Sequence, residues 1–330
     1  MTNKPKVLVT PDLGDQERGI LGEILSDIAD LVYMNGLGTD TRATEFQGGA
    51  ALIGLNLGRE IGPGEEEHLG CLGFIQLLTA GVDPVPFSRL PAEVPVANNP
   101  GHQAAMMAEH GLALALACSR CLVKETQAMK AGHYKRHAKE VRGLAGGTCL
   151  ILGYGGAGRA SARLFGTLSM EIMAINRSGA VEDDVAFAGT LEDLETCLPK
   201  ADLVLLSMAL TKKTTGVMGG AQLALMKEDA ILVNLARGAL IDQAALYEHM
   251  KSHPDFSAGL DVWWVTPFAD GEFRLDQPFF DLPNLVATPH ISAKARGRPG
   301  TGLTQAAENL KRYLIGGTPR FLVREDEKLR

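Results

Sequence analysis

The sequence predicts an α/β protein of two doubly wound, parallel-sheet domains, one inserted into the other. Three observations carry this. The chain is 330 residues long, room for about two domains at roughly 150 residues each. Short apolar runs alternate with amphipathic or polar stretches along most of its length. Such runs fit parallel strands buried on both faces. Glycine stands at 38 of 330, well above the usual share of about 7%. The excess has no three-residue period and proline is only 16, so it reads as tight turns between buried elements.

In chain order, Lys6–Thr10 reads as a strand and Glu17–Ala29 as a helix. Leu31–Met34, Ala50–Leu55, Phe74–Leu78 and Val94–Ala97 complete a first set of strands. The acidic run Glu65–Glu67 is expected in the first turn of a helix, where negative charge suits the dipole. Asn98-Asn99-Pro100-Gly101 is a cluster of breakers, read as a hinge and the first domain crossing. A long helix follows from about Gln103 to Cys121. Strands are then expected at Cys149–Leu152, Glu171–Ile175, Leu203–Leu206, Ile231–Asn234, Gly259–Val262 and Leu285–Ala287. Beyond Pro289 a helix at about Leu303–Leu314 returns to the first domain. One domain is therefore expected from 1–100 and 290–330, the other from 101–289, with the active site in the cleft at the strands' carboxyl ends.

Composition narrows the function classes. With 32 Lys and Arg against 39 Asp and Glu, the net charge is −7, and no dense basic block marks a nucleic-acid binder. The N-terminus lacks the apolar core of a signal peptide, and no run is long enough for a membrane span. Five scattered cysteines fit reduced thiols in a cytoplasmic protein. Cys118 and Cys121 form a CxxC that could be a redox pair or half a zinc site. No second CxxC completes a zinc site, so no metal is expected. The bland alternative places both cysteines on one face of an apolar helix, Ala108–Val123.

The first chemical signal is Thr148-Cys-Leu-Ile-Leu-Gly153-Tyr-Gly155-Gly156-Ala157-Gly158, an apolar run, then GxGxxG, then a helical pattern. Gly153 would make the tight turn, Gly155 would admit a pyrophosphate, and Gly158 would let helix approach strand. Phosphates would sit over the N–H groups near Gly156 and Ala157. Dinucleotide binding is the expectation. An NAD site usually carries an acid about 20 residues on, for the ribose 2′-OH. This chain has Asn176-Arg177-Ser178 there. An acid would repel a 2′-phosphate, whereas Arg and Ser would bind one, so NADP is favoured over NAD. If Arg177 only stacks on adenine, NAD remains acceptable.

Three later segments carry a resemblance. They are Val233-Asn234-Leu-Ala-Arg237-Gly238-Ala-Leu-Ile-Asp242, Leu260-Asp261-Val262-Trp263-Trp264-Val-Thr266-Pro267, and Leu282-Pro-Asn284-Leu-Val-Ala-Thr288-Pro289-His290-Ile-Ser292. Thr79-Ala80-Gly81 and Ala108-Glu109-His110 add to them. In order and spacing the chain resembles the D-isomer-specific 2-hydroxyacid dehydrogenases over nearly its whole length. The resemblance implies a Rossmann cofactor domain inserted into a flavodoxin-like substrate domain, and hydride transfer between nicotinamide and a small 2-oxo or 2-hydroxy acid. Glyoxylate and hydroxypyruvate are the substrates it suggests. Arg237 would hold the carboxylate with its planar fork, with backbone N–H groups at Ala80 and Gly81 as a second contact and Gln103 as a further one. His290 would be the acid and base. Asp261 would hold the nicotinamide amide, and Met208, Ala209, Thr214, Leu235, Ala236, His290 and Ser292 would also meet the cofactor. His110 reads as structural. The Trp263-Trp264 pair would either line the site's mouth or serve packing. The segment Lys124–Arg142 resembles a dimer-forming region and implies a homodimer.

One position departs from the family pattern. A glutamate usually precedes the proline of the second segment and contacts the histidine, and here that residue is Thr266. Threonine can hydrogen-bond an imidazole but cannot stabilise its charge. Asp270 or Glu272 could supply the partner, Thr266 could suffice, or the site could be repurposed. A dinucleotide-binding sensor and a formate-dehydrogenase-like enzyme, suggested by the Asp-Val-Trp segment, are the alternatives.

Overall fold

The computed structural model describes residues 4–83, 85–134, 141–267, 270–294 and 301–328. The chain forms two compact units, Met1–His102 with Ala295–Arg330, and Gln103–Lys294. The first unit is built on β1 (Lys6–Val9), β2 (Asp30–Tyr33), β3 (Gly49–Gly54), β4 (Phe74–Leu77) and β5 (Val96–Ala97), all parallel, in the order β2-β1-β3-β4-β5. Successive side chains enter opposite cores. Leu8, Leu52, Ile75 and Leu77 face one, and Val7, Val9, Ala51, Ile53 and Phe74 the other. Helices Asp15–Leu25 and Thr301–Leu314 close the second of these with Leu21, Leu25, Leu303, Ala307 and Leu310. Burial on both faces is why these strands read as unbroken apolar runs.

The returning helix is pinned by polar side chains as well as by packing. Asn309 Nδ2 donates to the fully buried Gln76 Oε1 of β4 at 2.7 Å, and Asn309 Oδ1 accepts from Arg320 N at 2.7 Å. Asn309→Leu would leave the buried Gln76 Oε1 without this donor and untie the Arg320 backbone. It is expected to lower stability by about 2 kcal/mol, read as a lower urea midpoint at unchanged slope. An unmoved midpoint would show that the clasp contributes nothing.

The acidic run stands in the first turn of a helix, as expected, and Glu65 also has a specific partner. Glu65 opens a short 3₁₀ helix, Glu65–Cys71, but is buried in a two-pronged pair with Arg42, Nε to Oε1 at 2.5 Å and Nη2 to Oε2 at 2.8 Å. Arg42 holds its carboxyl below the usual range. The Glu65 charge serves a specific partner as well as the helix start, where it accepts from Gly62 N at 2.8 Å.

The second unit carries β6 (Thr148–Leu152), β7 (Glu171–Ile175), β8 (Phe187–Gly189), β9 (Leu203–Leu206), β10 (Ile231–Asn234), β11 (Ser257–Leu260) and β12 (Leu285–Ala287). They are parallel, in the order β12-β11-β10-β9-β6-β7-β8. The order reverses between β6 and β9, and such a switch point is where open sheets take ligands. Again both faces are buried, with Leu150, Leu152, Val204 and Leu232 on one side and Cys149, Ile151, Leu205 and Val233 on the other. β8 escapes sequence reading because it is a half-buried edge strand, Phe-Ala-Gly, with no run of branched apolar residues.

The long helix is shorter than expected. It runs Ala104–Ser119, and Cys121 takes a left-handed conformation (φ 51°) that starts a second helix, Leu122–Lys130, at 56° to the first. Cys118 is in the core and Cys121 lies beyond the break, so the two do not share a helix face. Burial pushes the Cys118 thiol up to about 12, and the nearby Arg142 charge only partly opposes this. A thiol so hard to ionise is a poor redox nucleophile. Among the described residues no single helix is long and apolar enough to cross a membrane. The bent pair passes by length and composition alone, and its first member packs in this core.

Candidate active site

The glycine-rich loop follows β6 at the switch point. Gly153 has φ 100°, and a Cβ there would stand 2.4 Å from Met208 N. Its N–H donates to Ile175 O at 2.8 Å, and its carbonyl accepts from Ser207 Oγ at 2.7 Å. A Cβ on Gly158 would come within 2.1 Å of Gly153 O, so helix and turn touch directly. Gly155 differs, for nothing lies within 4 Å of a Cβ placed on it. It is the N-cap of helix Gly156–Gly166, and no side chain caps that helix end. Two glycines thus close the turn, and the third clears an approach to N–H groups at the positive end of an eleven-residue helix. That cradle fits a pyrophosphate.

At the end of β7 the side chains of Asn176 and Ser178 bond within their own loop. Asn176 Oδ1 accepts from Ser178 N at 2.9 Å and Gly179 N at 2.8 Å, while its Nδ2 donates to Ala180 O at 2.7 Å. Ser178 Oγ lies 3.1 Å from Asn176 Oδ1 and 3.2 Å from Ala180 O. Both side chains are spent on shaping their own loop, an Asx-type turn. Arg177 projects from that turn, exposed. Nearby charge is balanced locally, because Arg159 Nε stands 3.1 Å from Asp183 Oδ2.

Other expected cofactor residues line the same edge. Met208 backs Gly153, and Thr214 Oγ1 donates to Ala209 O at 2.8 Å, closing the loop after β9. The side chains of Leu235 and Ala236 are buried, so any cofactor contact from them comes through backbone. Gln103 is the N-cap of helix Ala104–Ser119.

Arg237 leaves the end of β10. Asn234, buried at the strand end, accepts from Ala236 N at 3.0 Å and donates to Arg237 O at 2.8 Å, which fixes the turn. Arg237 Nη1 donates to Ala236 O at 2.7 Å. A Cβ on Gly238 would stand 2.4 Å from Trp263 C, so this turn lies against the Trp263-Trp264 backbone after β11. Both indoles are ties. Trp264 Nε1 donates to Ile241 O at 2.7 Å and Trp263 Nε1 to Thr288 O at 2.9 Å. The turns after β10, β11 and β12 are therefore fastened to one another. Trp263 also carries Phe273 and Phe280, which stay partly exposed.

His290 follows β12. It is exposed and has φ 55°, a left-handed conformation that costs a non-glycine residue on the order of 1–3 kcal/mol. Asp261 holds it there. Its carbonyl accepts from His290 N at 2.8 Å, Oδ1 from Ile291 N at 2.9 Å, and Oδ2 from Ser292 N at 2.9 Å. Three consecutive N–H groups bind one residue. Thr288 Oγ1 donates to Asp261 Oδ1 at 2.6 Å, and His110 Nε2 stands 2.9 Å from that hydroxyl. Burial works against the Asp261 charge, but the bonds from Ser292, Thr288 and Ile291 outweigh it and hold the carboxyl below its usual range. Asp261 is fully buried, and both of its carboxylate oxygens anchor the His290 turn. His110 and Thr288 were invisible as site residues in the sequence. The only signals were the Ala-Glu-His triplet and a threonine two places before His290.

Asp270 and Glu272, the acids that could stand in for the glutamate, have these partners. Asp270 Oδ2 accepts from the Thr266 backbone N–H at 2.7 Å, and Glu272 pairs with Arg274 at 3.6 Å. In the other unit, Ala80 and Gly81 follow β4. Asn98 Nδ2 donates to Ala80 O at 2.7 Å and Thr79 Oγ1 to Gly81 O at 2.9 Å. Carbonyl and N–H point oppositely across a trans peptide, so the Gly81 N–H faces away from Asn98. Among the described residues no group of three or more His, Cys, Asp or Glu is placed to hold a metal ion.

Comparison with known proteins agrees with this edge of the sheet. The family model for the D-isomer specific 2-hydroxyacid dehydrogenase NAD binding domain matches residues 112–292. A glycerate dehydrogenase of Methylorubrum extorquens is 31% identical over 264 residues, 78% of this chain and 80% of that protein. A glyoxylate reductase of Pyrococcus furiosus is 33% identical over 238 residues, 70% of this chain and 69% of that one. A D-isomer specific 2-hydroxyacid dehydrogenase from Xanthobacter autotrophicus, solved with NADPH and MES, superposes with a TM-score of 0.79 at 23% identity, covering 98% of each chain. With the glycine loop at the switch point and the Arg237 and His290 turns tied together across the end of β11, the chain belongs to the D-isomer-specific 2-hydroxyacid dehydrogenase family, the NAD(P)-dependent oxidoreductases of 2-hydroxy acids.

Proposed function

We propose that this protein reduces a small 2-oxo acid such as glyoxylate or hydroxypyruvate, with NADP(H) preferred over NAD(H). The observation that carries the reading is the fastening of the Arg237 and His290 turns to each other through Trp263. An anion anchor and a proton donor on one sheet edge match the needs of a 2-oxo acid. When bound, the dinucleotide supplies hydride to C2. Arg237 binds the carboxylate and carbonyl oxygens with its fork. The Gly81 N–H, with Ala80, is the second carboxylate contact, and Gln103 contributes a minor one. The His290 imidazolium N–H gives its proton to the carbonyl oxygen, and the neutral ring takes it back in the oxidising direction. Thr266 serves beside the imidazole in place of the usual carboxylate, since Asp270 and Glu272 have other partners.

The pyrophosphate lies over Gly155, Gly156 and Ala157, with Gly153 and Gly158 shaping the loop. Met208, Ala209, Thr214, Leu235, Ala236, Asp261, His290 and Ser292 frame the rest of the dinucleotide. Arg177 takes the 2′-phosphate, held outward by the Asn176–Ser178 turn. Arg177→Ala is expected to lower kcat/KM with NADPH by about 10- to 100-fold, the worth of one or two charge-assisted bonds, and to change NADH little. Equal losses with both cofactors would assign Arg177 to adenine stacking. Assay of wild-type protein against a 2-oxoacid panel with NADPH and NADH tests the whole reading. No oxidation of either cofactor would overturn it in favour of a dinucleotide-binding sensor, and turnover of formate with NAD would favour the formate-oxidising alternative.

The homodimer is part of the proposal. Leu122, Val123 and Met129 on helix Leu122–Lys130, with Tyr134 beyond it, are exposed, Tyr134 at 79%, and a second copy of the chain would cover them. Light scattering should give twice the chain mass, and the chain mass alone would refute it. Five free thiols suit a reducing compartment, taken as the cytoplasm.

A further inference from the structure

Thr288 lies at the centre of the ties around His290. Its N–H donates to Leu260 O at 2.9 Å, its carbonyl accepts from Trp263 Nε1 at 2.9 Å, and its hydroxyl joins Asp261 to His110. Donor counting fixes the direction of that last chain. A hydroxyl has one proton, and an ionised carboxylate only accepts. Thr288 Oγ1 gives its proton to Asp261 Oδ1 at 2.6 Å. The bond between His110 Nε2 and Thr288 Oγ1, 2.9 Å, therefore needs the proton on His110 Nε2.

The chain continues into backbone. Asp261, polarised by Thr288 on Oδ1, receives Ile291 N on the same oxygen, Ser292 N on Oδ2 and His290 N on its carbonyl. The left-handed His290 is thus held by three bonds to one residue, and that residue's carboxylate is set by Thr288 and His110. His110 itself sits on helix Ala104–Ser119, a rigid element packed into the core by Leu114, Ala115 and Cys118. Its side chain is 19% exposed and also lies 3.5 Å from Asp261 Oδ1.

We propose that His110 is a positioning residue for His290, acting through Thr288 and Asp261 to fix the turn that aims the imidazole. This rests on the reading of His290 as acid and base. Helix Ala104–Ser119 thereby becomes the fixed reference for the proton donor, although it contributes no group to the chemistry. A donor on His110 Nε2 is required, so a side chain with an N–H at that reach should replace it and an apolar one should not.

The test compares wild type, His110→Leu, His110→Gln, Thr288→Val and His290→Gln in two assays. In kinetics with NADPH and glyoxylate, His110→Leu should lower kcat about tenfold or more, because displacement of the order of 1 Å can cost about 100-fold. KM for NADPH should stay within about twofold. His110→Gln, whose amide N–H can reach the same hydroxyl, should recover most of the rate, and Thr288→Val should match His110→Leu. In hydrogen exchange, the Ile291 and Ser292 amides should exchange about tenfold faster in His110→Leu and near the wild-type rate in His110→Gln. Wild-type kcat and wild-type exchange in His110→Leu or Thr288→Val would overturn the proposal, as would equal damage in the Leu and Gln variants. His290→Gln with undiminished kcat would instead remove the underlying reading of His290. The exchange measurement judges the turn even without turnover, and Thr288→Val keeps the test open if His110→Leu fails to fold.

Discussion

Arg237→Ala is expected to lower kcat/KM for the 2-oxo acid by roughly 10²- to 10⁴-fold. Removing one member of a desolvated, hydrogen-bonded charge pair costs about 3–5 kcal/mol, and each 1.4 kcal/mol is about tenfold in rate. The loss should fall on both KM and kcat. The carboxylate is bound in the ground state, whereas the carbonyl oxygen gains charge only as hydride arrives. Arg237→Lys is not a conservative change here. A lysine presents a point charge and cannot span carboxylate and carbonyl oxygens with one planar fork, so it should recover binding more than turnover. Folding should survive both substitutions. The turn is fixed by Asn234 bonding to the backbone of Ala236 and Arg237, and by Gly238 lying against Trp263. Measured Kd for NADPH should be near wild type. An alanine variant with kcat/KM within about threefold of wild type, well below the cost of losing a charged partner, would remove Arg237 from the site.

The fold was legible because the sheets are buried on both faces. Leu150 and Ile151 enter different cores but are equally apolar, so β6 stands out as a run, as do β9 and β10. The glycine loop was legible for a related reason, since Gly153 and Gly158 tolerate no Cβ. What stayed hidden depends on side chains meeting across sequence distance. Nothing local to His110 announces a bond to Thr288, 178 residues on. The bonds that Asn176 and Ser178 make within their own turn could not be read from residue type. The CxxC looked like one helical face, and a single left-handed residue, Cys121, broke it. Residue type indicates what a side chain can bond to. Only the fold determines whether those bonds are already taken.

His290→Gln is expected to lower kcat by about 10²- to 10⁴-fold, the usual worth of a positioned acid or base, and to leave NADPH affinity near wild type. His290→Gly separates chemistry from folding more sharply. The residue has φ 55°, a conformation glycine adopts without strain. The variant should be as inactive as the glutamine one, yet its Tm should not fall, because the strain of order 1–3 kcal/mol is relieved while the His290 N–H still binds Asp261 O. A protein that loses its activity without losing stability shows that the strained turn is kept for aiming the imidazole. On the proposed reading Thr266 stands beside the imidazole and sets where on the pH axis the enzyme works. Thr266→Glu places a carboxylate beside the imidazole and favours its charged form. Reduction needs that form, so the limb where the rate falls with rising pH should move upward by about one unit. In the double variant with His290→Gln the limb should vanish. If Thr266→Glu leaves the limb in place while His290→Gln abolishes turnover, the acid is His290 but its neighbour is another group.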